Sequence, residues 1–232
     1  MLCLNLYSVG EKMKTVVTPE IVDLKYRIIF AEPQLDLIRE ERRIPLIKKI
    51  IESFGLSINN IKFNDASPSN DWIHFSKLDN PTFLNVSFGL EQVEAWLQRP
   101  QKEEQVLTNY GKLALLLKDI KFASQTMMIQ WHLKVDGDNL TYLKSLSPNI
   151  PESFKEFFHG SGVSYTLKIP EHNLTIFVTV VESLYTENGL FLSIENEFSP
   201  NKYSFDESLK IARHFHDIIL EGVGLEFRAQ EG

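Results

Sequence analysis

Residues 174–181 read Leu-Thr-Ile-Phe-Val-Thr-Val-Val, and residues 190–194 read Leu-Phe-Leu-Ser-Ile. Both runs are rich in β-branched and aromatic residues, and the turn-forming Glu187-Asn188-Gly189 separates them. An Asn-Gly pair between two such runs is a strong signal for a β-hairpin. We therefore predict two antiparallel strands in this part of the chain.

A helix is predicted directly after the hairpin. Ser204 and Glu207 have the spacing of a capping box, and Gly222 stands where a helix of this length would end. His214 and His216 are expected on faces that do not pack against the sheet. The apolar stripe expected against the sheet consists of Phe205, Leu209, Ala212, Phe215 and Ile219.

The predicted elements follow one order that occurs twice along the chain. Hydrophobic periodicity predicts the order strand, helix, three strands, helix over about residues 21–120 and again over about 127–222. In the first half the predicted elements are a strand at 21–30, a helix from Pro45 to Gly55, β-like runs at 58–63, at 71–78 and from Pro81 towards Trp96, and a helix at 102–120. In the second half they are a strand at 127–135, a helix at 151–160, strands at 163–169, 174–181 and 190–194, and the final helix.

A local echo supports the duplication. Ile44-Pro45 with Lys49 recurs as Ile150-Pro151 with Lys155. We predict an α+β fold in which two tandem β-α-β-β-β-α halves form a curved antiparallel sheet with helices packed on one face. One domain would cover residues 21–232, after an N-terminal extension at residues 1–20.

This element order resembles the topology of the TATA-binding-protein fold, which is also duplicated. The resemblance is one of topology, and none of that family's DNA-reading residues is carried over to this chain. The alternative arrangement is the helix-grip fold, in which one long C-terminal helix packs against a curved sheet.

The C-terminal region also resembles a sporadically distributed bacterial family of proteins of unknown function. The resemblance rests on Ser204-Phe205-Asp206-Glu207-Ser208-Leu209, followed by Ala212, His214 and His216. Members of that family share a late strand, a short turn containing Asp, and a C-terminal helix with Ala-His-like residues. Here Arg213 separates Ala212 from His214. The resemblance implies a bacterial origin but no established activity.

Composition excludes several classes of protein. The chain of 232 residues has 31 acidic and 24 basic side chains, a net charge of −7 and a pI of about 5.4. This acidic balance argues against a nucleic-acid binder, which needs clustered Lys and Arg. The single cysteine, Cys3, cannot form an internal disulfide. No segment is predicted to be a signal peptide or to span the membrane, so we expect a cytoplasmic protein.

No motif predicts catalysis, a cofactor or a metal. His214 and His216 are two residues apart on a helix and point in very different directions, so they cannot bind one metal together. Asp136, Asp138 and Asn139 are better explained as a β-to-α turn with an Asp or Asn N-cap than as a calcium loop. The Gly-Ser-Gly at 160–162 is too short for a nucleotide-binding loop.

The best candidates for a binding surface lie on predicted strands. His74 and His132 alternate with apolar residues, and they are expected to share a sheet face with Trp72 and Gln130. Glu195 and Glu197 alternate with Ile194 and Phe198, so they are expected on one solvent face. That face either protects the sheet against aggregation or recognises a basic partner.

Three functions remain open at this point. The first is a non-catalytic accessory protein, an adaptor or antitoxin-like partner, which binds another protein through its sheet face or its acidic C-terminal hairpin. The second is a small-molecule binding protein with an aromatic pocket between sheet and helix, which a closed apolar cavity would favour. The third is an enzyme without a recognisable motif, which a cleft containing two titratable groups with shifted pKa values would favour.

Overall fold

The computed structural model describes residues 14–79, 81–146, 162–200 and 202–228. Within these residues the chain forms ten strands and four α-helices. The strands are β1 (Thr15–Phe30), β2 (Ile61–Phe63), β3 (Ile73–Asp79), β4 (Thr82–Phe88), β5 (Gln92–Gln98), β6 (Phe122–Val135), β7 (Gly162–Ile169), β8 (Leu174–Glu182), β9 (Gly189–Phe198) and β10 (Leu225–Phe227). The helices are α1 (Glu40–Phe54), α2 (Glu103–Leu116), α3 (Asn139–Leu146) and α4 (Phe205–Val223).

All ten strands belong to one open, curved sheet with the order β2-β3-β4-β5-β1-β6-β9-β8-β7. The neighbours in this path are antiparallel, and the short β10 adds to β1 in parallel. Outward from the central β1–β6 pair, the order is β1-β5-β4-β3 on one side and β6-β9-β8-β7 on the other. The two sides are alike in this order, but the first half has four strands after its helix where the sequence predicts three, and the helix predicted at 151–160 lies outside the described residues.

The core lies on one face of this sheet. In β1, Tyr26 and Ile28 are buried, whereas Lys25 and Arg27 point to the opposite side and are half-buried. Strand register places the buried residues of the other long strands on the same face as Tyr26. Residues of all four helices join the two hydrophobic clusters on that face, which we call the covered face. The other side is the open face.

The final helix begins where the sequence predicts. Ser204 accepts a hydrogen bond from the backbone N–H of Glu207, and the Glu207 carboxylate accepts one from the backbone N–H of Ser204. The helix does not end at Gly222, as predicted, but at Gly224, which adopts a left-handed conformation with φ of 72°. Glycine suits this position because it has no side chain to clash. Three other helices share the covered face, so the helix-grip arrangement does not describe the fold.

The packed face of α4 is rotated from the predicted stripe. Phe205, Ala212 and Ile219 are buried as expected, but Leu209 and Phe215 are only half-buried. The other buried positions of the helix are Ser208 and Val223. His216 was expected to face away, yet its ring stacks on Trp131 of β6 with centroids 5.0 Å apart. His214 is exposed, as predicted.

A buried hydrogen-bond network fixes the start of α4 over the centre of the sheet. The hydroxyl of Tyr26 donates to the side-chain carbonyl of Gln125, at 3.0 Å. The amide of Gln125 in turn donates to the hydroxyl of Ser208 and to the backbone carbonyl of Tyr203, at 2.5 and 3.1 Å. The network therefore ties β1 and β6 to the helix.

Several predicted boundaries are wrong. Residues 15–20 are not part of an extension, because β1 begins at Thr15. The run from Pro81 towards Trp96 is two strands, joined by a tight turn at Gly89. At Gly89 a side chain would meet the backbone of Ser69, with a Cβ atom only 2.1 Å from its oxygen. In contrast, the β-to-α turn predicted at residues 136–139 is confirmed: the short helix α3 follows it, and the Asp138 carboxylate accepts a hydrogen bond from the backbone N–H of Thr141 at 3.0 Å.

Some predictions lie outside the described residues. These include the helix at 151–160, the Ile150-Pro151 echo, the Gly-Ser-Gly at 160–162 apart from Gly162, and Cys3. That the two halves superpose as a true duplication stays a prediction.

Candidate functional site

The open face carries a cluster of polar and aromatic side chains at its centre. Asp23 of β1 lies opposite Gln98 of β5 on one side and Gln130 of β6 on the other. His132 follows two residues later on the same side of β6, opposite Ile21. The register between the two central strands therefore brings a carboxylate and an imidazole into neighbouring rows.

These residues border a cavity of about 400 Å³, which we call the open-face pocket. Residues from both halves of the sheet and from three loops contribute to it. Its lining consists of Ile21, Asp23, Pro81, Phe83, Trp96, Gln98, Arg99, His132 and Tyr185. A volume of this size lies within the range of small-ligand sites and accommodates one or two amino-acid side chains.

Asp23 and His132 both have shifted pKa values. Burial raises the pKa of Asp23, and the backbone N–H of Arg99 and the charge of His132 oppose that effect. Burial lowers the pKa of His132, and the charge of Asp23 opposes it. One carboxylate oxygen of Asp23, Oδ1, is buried without a hydrogen-bond partner among the described residues. The site thus holds an incompletely compensated carboxylate beside a largely neutral imidazole.

The orientation of His132 follows from Ser183. The hydroxyl oxygen of Ser183 accepts hydrogen bonds from the backbone N–H groups of Tyr185 and Thr186, each at 3.1 Å. Its own proton is then left for Nδ1 of His132, at 2.8 Å. Neutral His132 accordingly carries its proton on Nε2, because Nδ1 serves as the acceptor.

A serine next to a histidine and an aspartate suggests a nucleophile, but the geometry opposes that role for Ser183. The side chain is only 8% exposed, and two backbone amides occupy its oxygen. Its hydroxyl closes the turn between β8 and β9. We conclude that Ser183 positions the imidazole of His132 and does not attack a substrate.

Arg99 stands at the rim of the pocket in an unusual backbone conformation. Its φ of 49° lies in the left-handed region, which costs a residue other than glycine on the order of 1 kcal/mol. The hydroxyl of Thr82 and the amide of Gln101 both donate to its carbonyl oxygen, at 3.2 and 3.0 Å, and hold this conformation. The side chain is exposed and forms no ion pair with a described residue.

Trp96 forms part of the floor of the pocket. The ammonium of Lys25 lies 4.7 Å from the centre of its ring, a cation–π contact. Its indole N–H is buried and has no hydrogen-bond partner among the described residues. Of the charged residues around the site, Arg99 and Asp23 line the pocket, Lys25 lies against Trp96, and Glu94 lies two residues before Trp96 on the same side of β5.

The predicted site residues do not form one cluster. Gln130 and His132 lie on β6 near the open-face pocket, but His74 lies on β3, with β4, β5 and β1 between them. His74 is 3.8 Å from the carboxylate of Asp71. At about 4.8 Å per strand, His74 is roughly 19 Å from β6. The two histidines therefore cannot contact one small ligand.

Trp72 was expected on the same face as His74, and this expectation is wrong. Its ring lies against the guanidinium of Arg43 from α1, at 4.7 Å, and packs against the core cluster of the covered face. Its indole N–H donates to Asp65 at 3.0 Å. The residue precedes β3, where strand alternation does not yet determine the side of the sheet.

Glu195 and Glu197 lie on the same side of β9, as predicted, and belong to the open face. Glu195 is 3.6 Å from the guanidinium of Arg27, so part of its charge is neutralised within the chain. In the strand register, Glu197 lies opposite Thr126 of β6 and Thr175 of β8. The pair is therefore a weaker acidic patch than the sequence suggests.

No known protein family and no curated protein sequence matches this chain. Among the described residues, no group of three or more His, Cys, Asp or Glu side chains is placed to hold a metal ion. In the same part of the chain, no helix combines the length and apolar character needed to cross a membrane. The function must therefore be argued from the open-face pocket itself.

Of the nine residues that line the pocket, the sequence predicts only His132 as a site residue, and the missed ones include Asp23, Trp96, Arg99 and Tyr185. One signal was present, because Asp23 belongs to the polar side of a strand whose other side is apolar. Such a polar side is expected to be solvated, whereas here it is half-buried in the middle of a wide sheet. The pairing that joins it to His132 and Arg99 is a long-range property of the fold.

Proposed function

We propose that this chain is a non-catalytic binding protein whose open face receives a segment of another protein. The open face extends over the full sheet, and no helix of the described residues packs on it. The observation that carries the proposal is a set of buried polar atoms on this face that have no hydrogen-bond partner among the described residues. They are Asp23 Oδ1, Arg27 Nε, Asn85 Oδ1 and Trp96 Nε1. Such atoms are costly in a free protein and are satisfied when a partner supplies the missing hydrogen bonds.

The chemistry of the open-face pocket selects the group that would enter it. The indole N–H of Trp96, the guanidinium of Arg99 and Nε2–H of His132 are donors, and Asp23 is the single carboxylate in the lining. A donor-rich pocket with two nearby cations favours an acceptor. We therefore propose that the partner inserts a carboxylate side chain between the rings of Trp96 and Tyr185.

A peptide-binding experiment with paired variants tests the proposal. Fluorescein-labelled libraries of acidic and basic decapeptides are titrated with the wild-type protein, with Arg99→Glu and with Arg42→Glu. Arg42 lies on α1 and is exposed like Arg99, so it controls for the change in net charge. We expect saturable binding of the acidic library, about tenfold or more weaker with Arg99→Glu and unchanged with Arg42→Glu.

Two results would count against this function. Preferential binding of the basic library would move the site to the acidic residues of β9. Equal affinities for Arg99→Glu and Arg42→Glu would show that the open-face pocket is not the site.

The second candidate is an enzyme that uses Asp23 and His132 for proton transfer. It is favoured by one observation: the two groups share a pocket, and burial shifts their pKa values in opposite directions. Neighbouring groups with shifted pKa values are a known signature of acid–base sites. The experiment that separates it from pure binding is a comparison of Asp23→Asn and His132→Gln. An enzyme loses turnover of its bound ligand while retaining affinity, whereas a binding protein changes only in affinity.

A further inference from the structure

A second cavity lies on the covered face, on the other side of the sheet from the open-face pocket. It has a volume of about 420 Å³ and opens between α2 and α4, above β1, β6 and β9. The two hydrophobic clusters of the protein meet here, because α4 contributes Phe205 and Ala212 to one and Ile219 and Val223 to the other. We call this space the inter-helix cavity.

The walls of the inter-helix cavity are largely apolar. They come from the centre of the sheet and from the facing sides of the two helices. Among the lining residues are Leu24, Val106, Met127, Ile129, Phe205 and Leu209. Such walls favour an aliphatic ligand, and the unbranched side chain of Met127 adapts easily to its shape. The lining is more aliphatic than the aromatic pocket that the sequence suggests.

Two polar groups interrupt this apolar lining. Asn196 of β9 is only 4% exposed, and its side-chain oxygen has no hydrogen-bond partner among the described residues. Its amide nitrogen donates to the backbone carbonyl of Met127 at 3.3 Å. Nε2 of His216 is also buried without a hydrogen-bond partner in the described part of the chain, and its ring lies flat against Trp131. An unpartnered acceptor in an apolar cavity calls for a donor from a ligand.

The mouth of the cavity is polar. Arg213 of α4 forms an ion pair with Glu103 of α2, and Lys102 lies beside them in the lining. This ion pair joins the two helices across the opening. Both of its partners are exposed, so it can open without burying a charge.

We propose that the inter-helix cavity binds an apolar molecule with a single hydroxyl group, such as a medium-chain alcohol. The hydroxyl donates to Oδ1 of Asn196, while the aliphatic part lies along Met127, Ile129 and Leu209. A free carboxylate fits less well, because an ionised carboxylate has no proton to give to Asn196. The site is separate from the open-face pocket and does not depend on it.

The test uses octanol and its donor-free analogue, methyl octyl ether. Binding is followed by the methyl NMR signal of Met127, which lines the cavity. Wild-type protein should bind octanol saturably and the ether about tenfold or more weakly, because only the alcohol can donate to Asn196. Asn196→Leu should remove this preference.

Asn85→Leu is the matched control. Asn85 is also a strand asparagine whose buried oxygen has no hydrogen-bond partner among the residues that the structure describes, but it lies on the open face and should leave the preference for octanol intact. Leu209→Trp places a larger side chain in the cavity and should abolish octanol binding. This variant tests the proposal if Asn196→Leu does not fold. Equal affinity for octanol and the ether, no binding of octanol, or full octanol binding by Leu209→Trp would each overturn the proposal.

Discussion

Replacement of Gln125 by Met gives the sharpest test of how α4 is held on the sheet. The two side chains have similar length, but Met cannot form the hydrogen bonds that link Gln125 to Tyr26 and Ser208. Tyr26 is 1% exposed and Ser208 0%, so water cannot replace the lost partner. Each of these two groups would then lose its hydrogen bond to Gln125 in the interior.

The expected magnitude follows from these two groups. A buried polar group left unsatisfied costs about 1–3 kcal/mol, which gives about 2–6 kcal/mol for the pair. Removal of the buried amide itself offsets part of this cost, so we expect a loss of about 2–4 kcal/mol in the free energy of unfolding. In the double variant Gln125→Met with Tyr26→Phe, the cost should be smaller than the sum of the single changes.

Urea unfolding followed by the fluorescence of the three tryptophans measures this loss. The control is Gln130→Met on the same strand, whose side chain is half-buried on the open face. It should change stability by no more than about 0.5 kcal/mol. If Gln125→Met costs less than about 1 kcal/mol, or no more than Gln130→Met, the buried network does not anchor the helix.

Three further predictions concern stability. Burial raises the pKa of Asp23 above 3.8, so the ionised carboxylate destabilises the folded protein at higher pH. Asp23→Asn should therefore raise stability in urea at pH 7, and the gain should shrink as the pH falls and vanish only below 3.8; a gain that does not depend on pH would refute this. Burial lowers the pKa of His216 below 6.5, so the free energy of unfolding should decrease as the pH drops below 6.5. His216→Phe can still stack on Trp131 and should show a smaller decrease, and a pH profile identical to wild type would refute this. Ser204→Ala should cost about 1 kcal/mol through loss of the helix cap, whereas Ser204→Asp, which keeps an acceptor oxygen, should remain close to wild type in thermal unfolding.

Local signals in the sequence predict much of the fold. The capping box at Ser204 and Glu207 marks the start of α4, and the turn at Asn188-Gly189 separates β8 from β9. Alternation identifies β1 and β6 and the side of each that is buried. These features depend on residues that are close together in the chain, so the sequence shows them directly.

Features that depend on tertiary contacts were missed. The turn at Gly89 is set by the close approach of Ser69, which no local pattern reveals. Two contacts with β6 determine which face of α4 packs against the sheet. Ser208 accepts a hydrogen bond from Gln125, and His216 stacks on Trp131. Hydrophobicity alone assigns Phe215 to the packed face of α4. It does not identify Ser208 as a core residue, because a serine is buried only when it finds a hydrogen-bond partner.

The candidate site was the least predictable part. Asp23 meets His132 only because β1 and β6 pair in one register, which shifts irregularly between Pro19 and Ile21. A shift of one residue would place the two side chains on opposite faces. Arg99 reaches the same pocket through its left-handed backbone, which the preceding sequence does not signal.

The indole N–H of Trp96 offers the most direct test of the proposed binding face. Nitrogen–proton correlation spectra should show separate indole signals for the three tryptophans. Trp72 already donates to Asp65, and Trp131 lies on the covered face beside His216, so neither should respond to an open-face partner. On addition of an acidic decapeptide, the Trp96 signal should move saturably, and the other two should stay in place. An unchanged Trp96 signal at a peptide concentration that saturates binding would contradict the proposal.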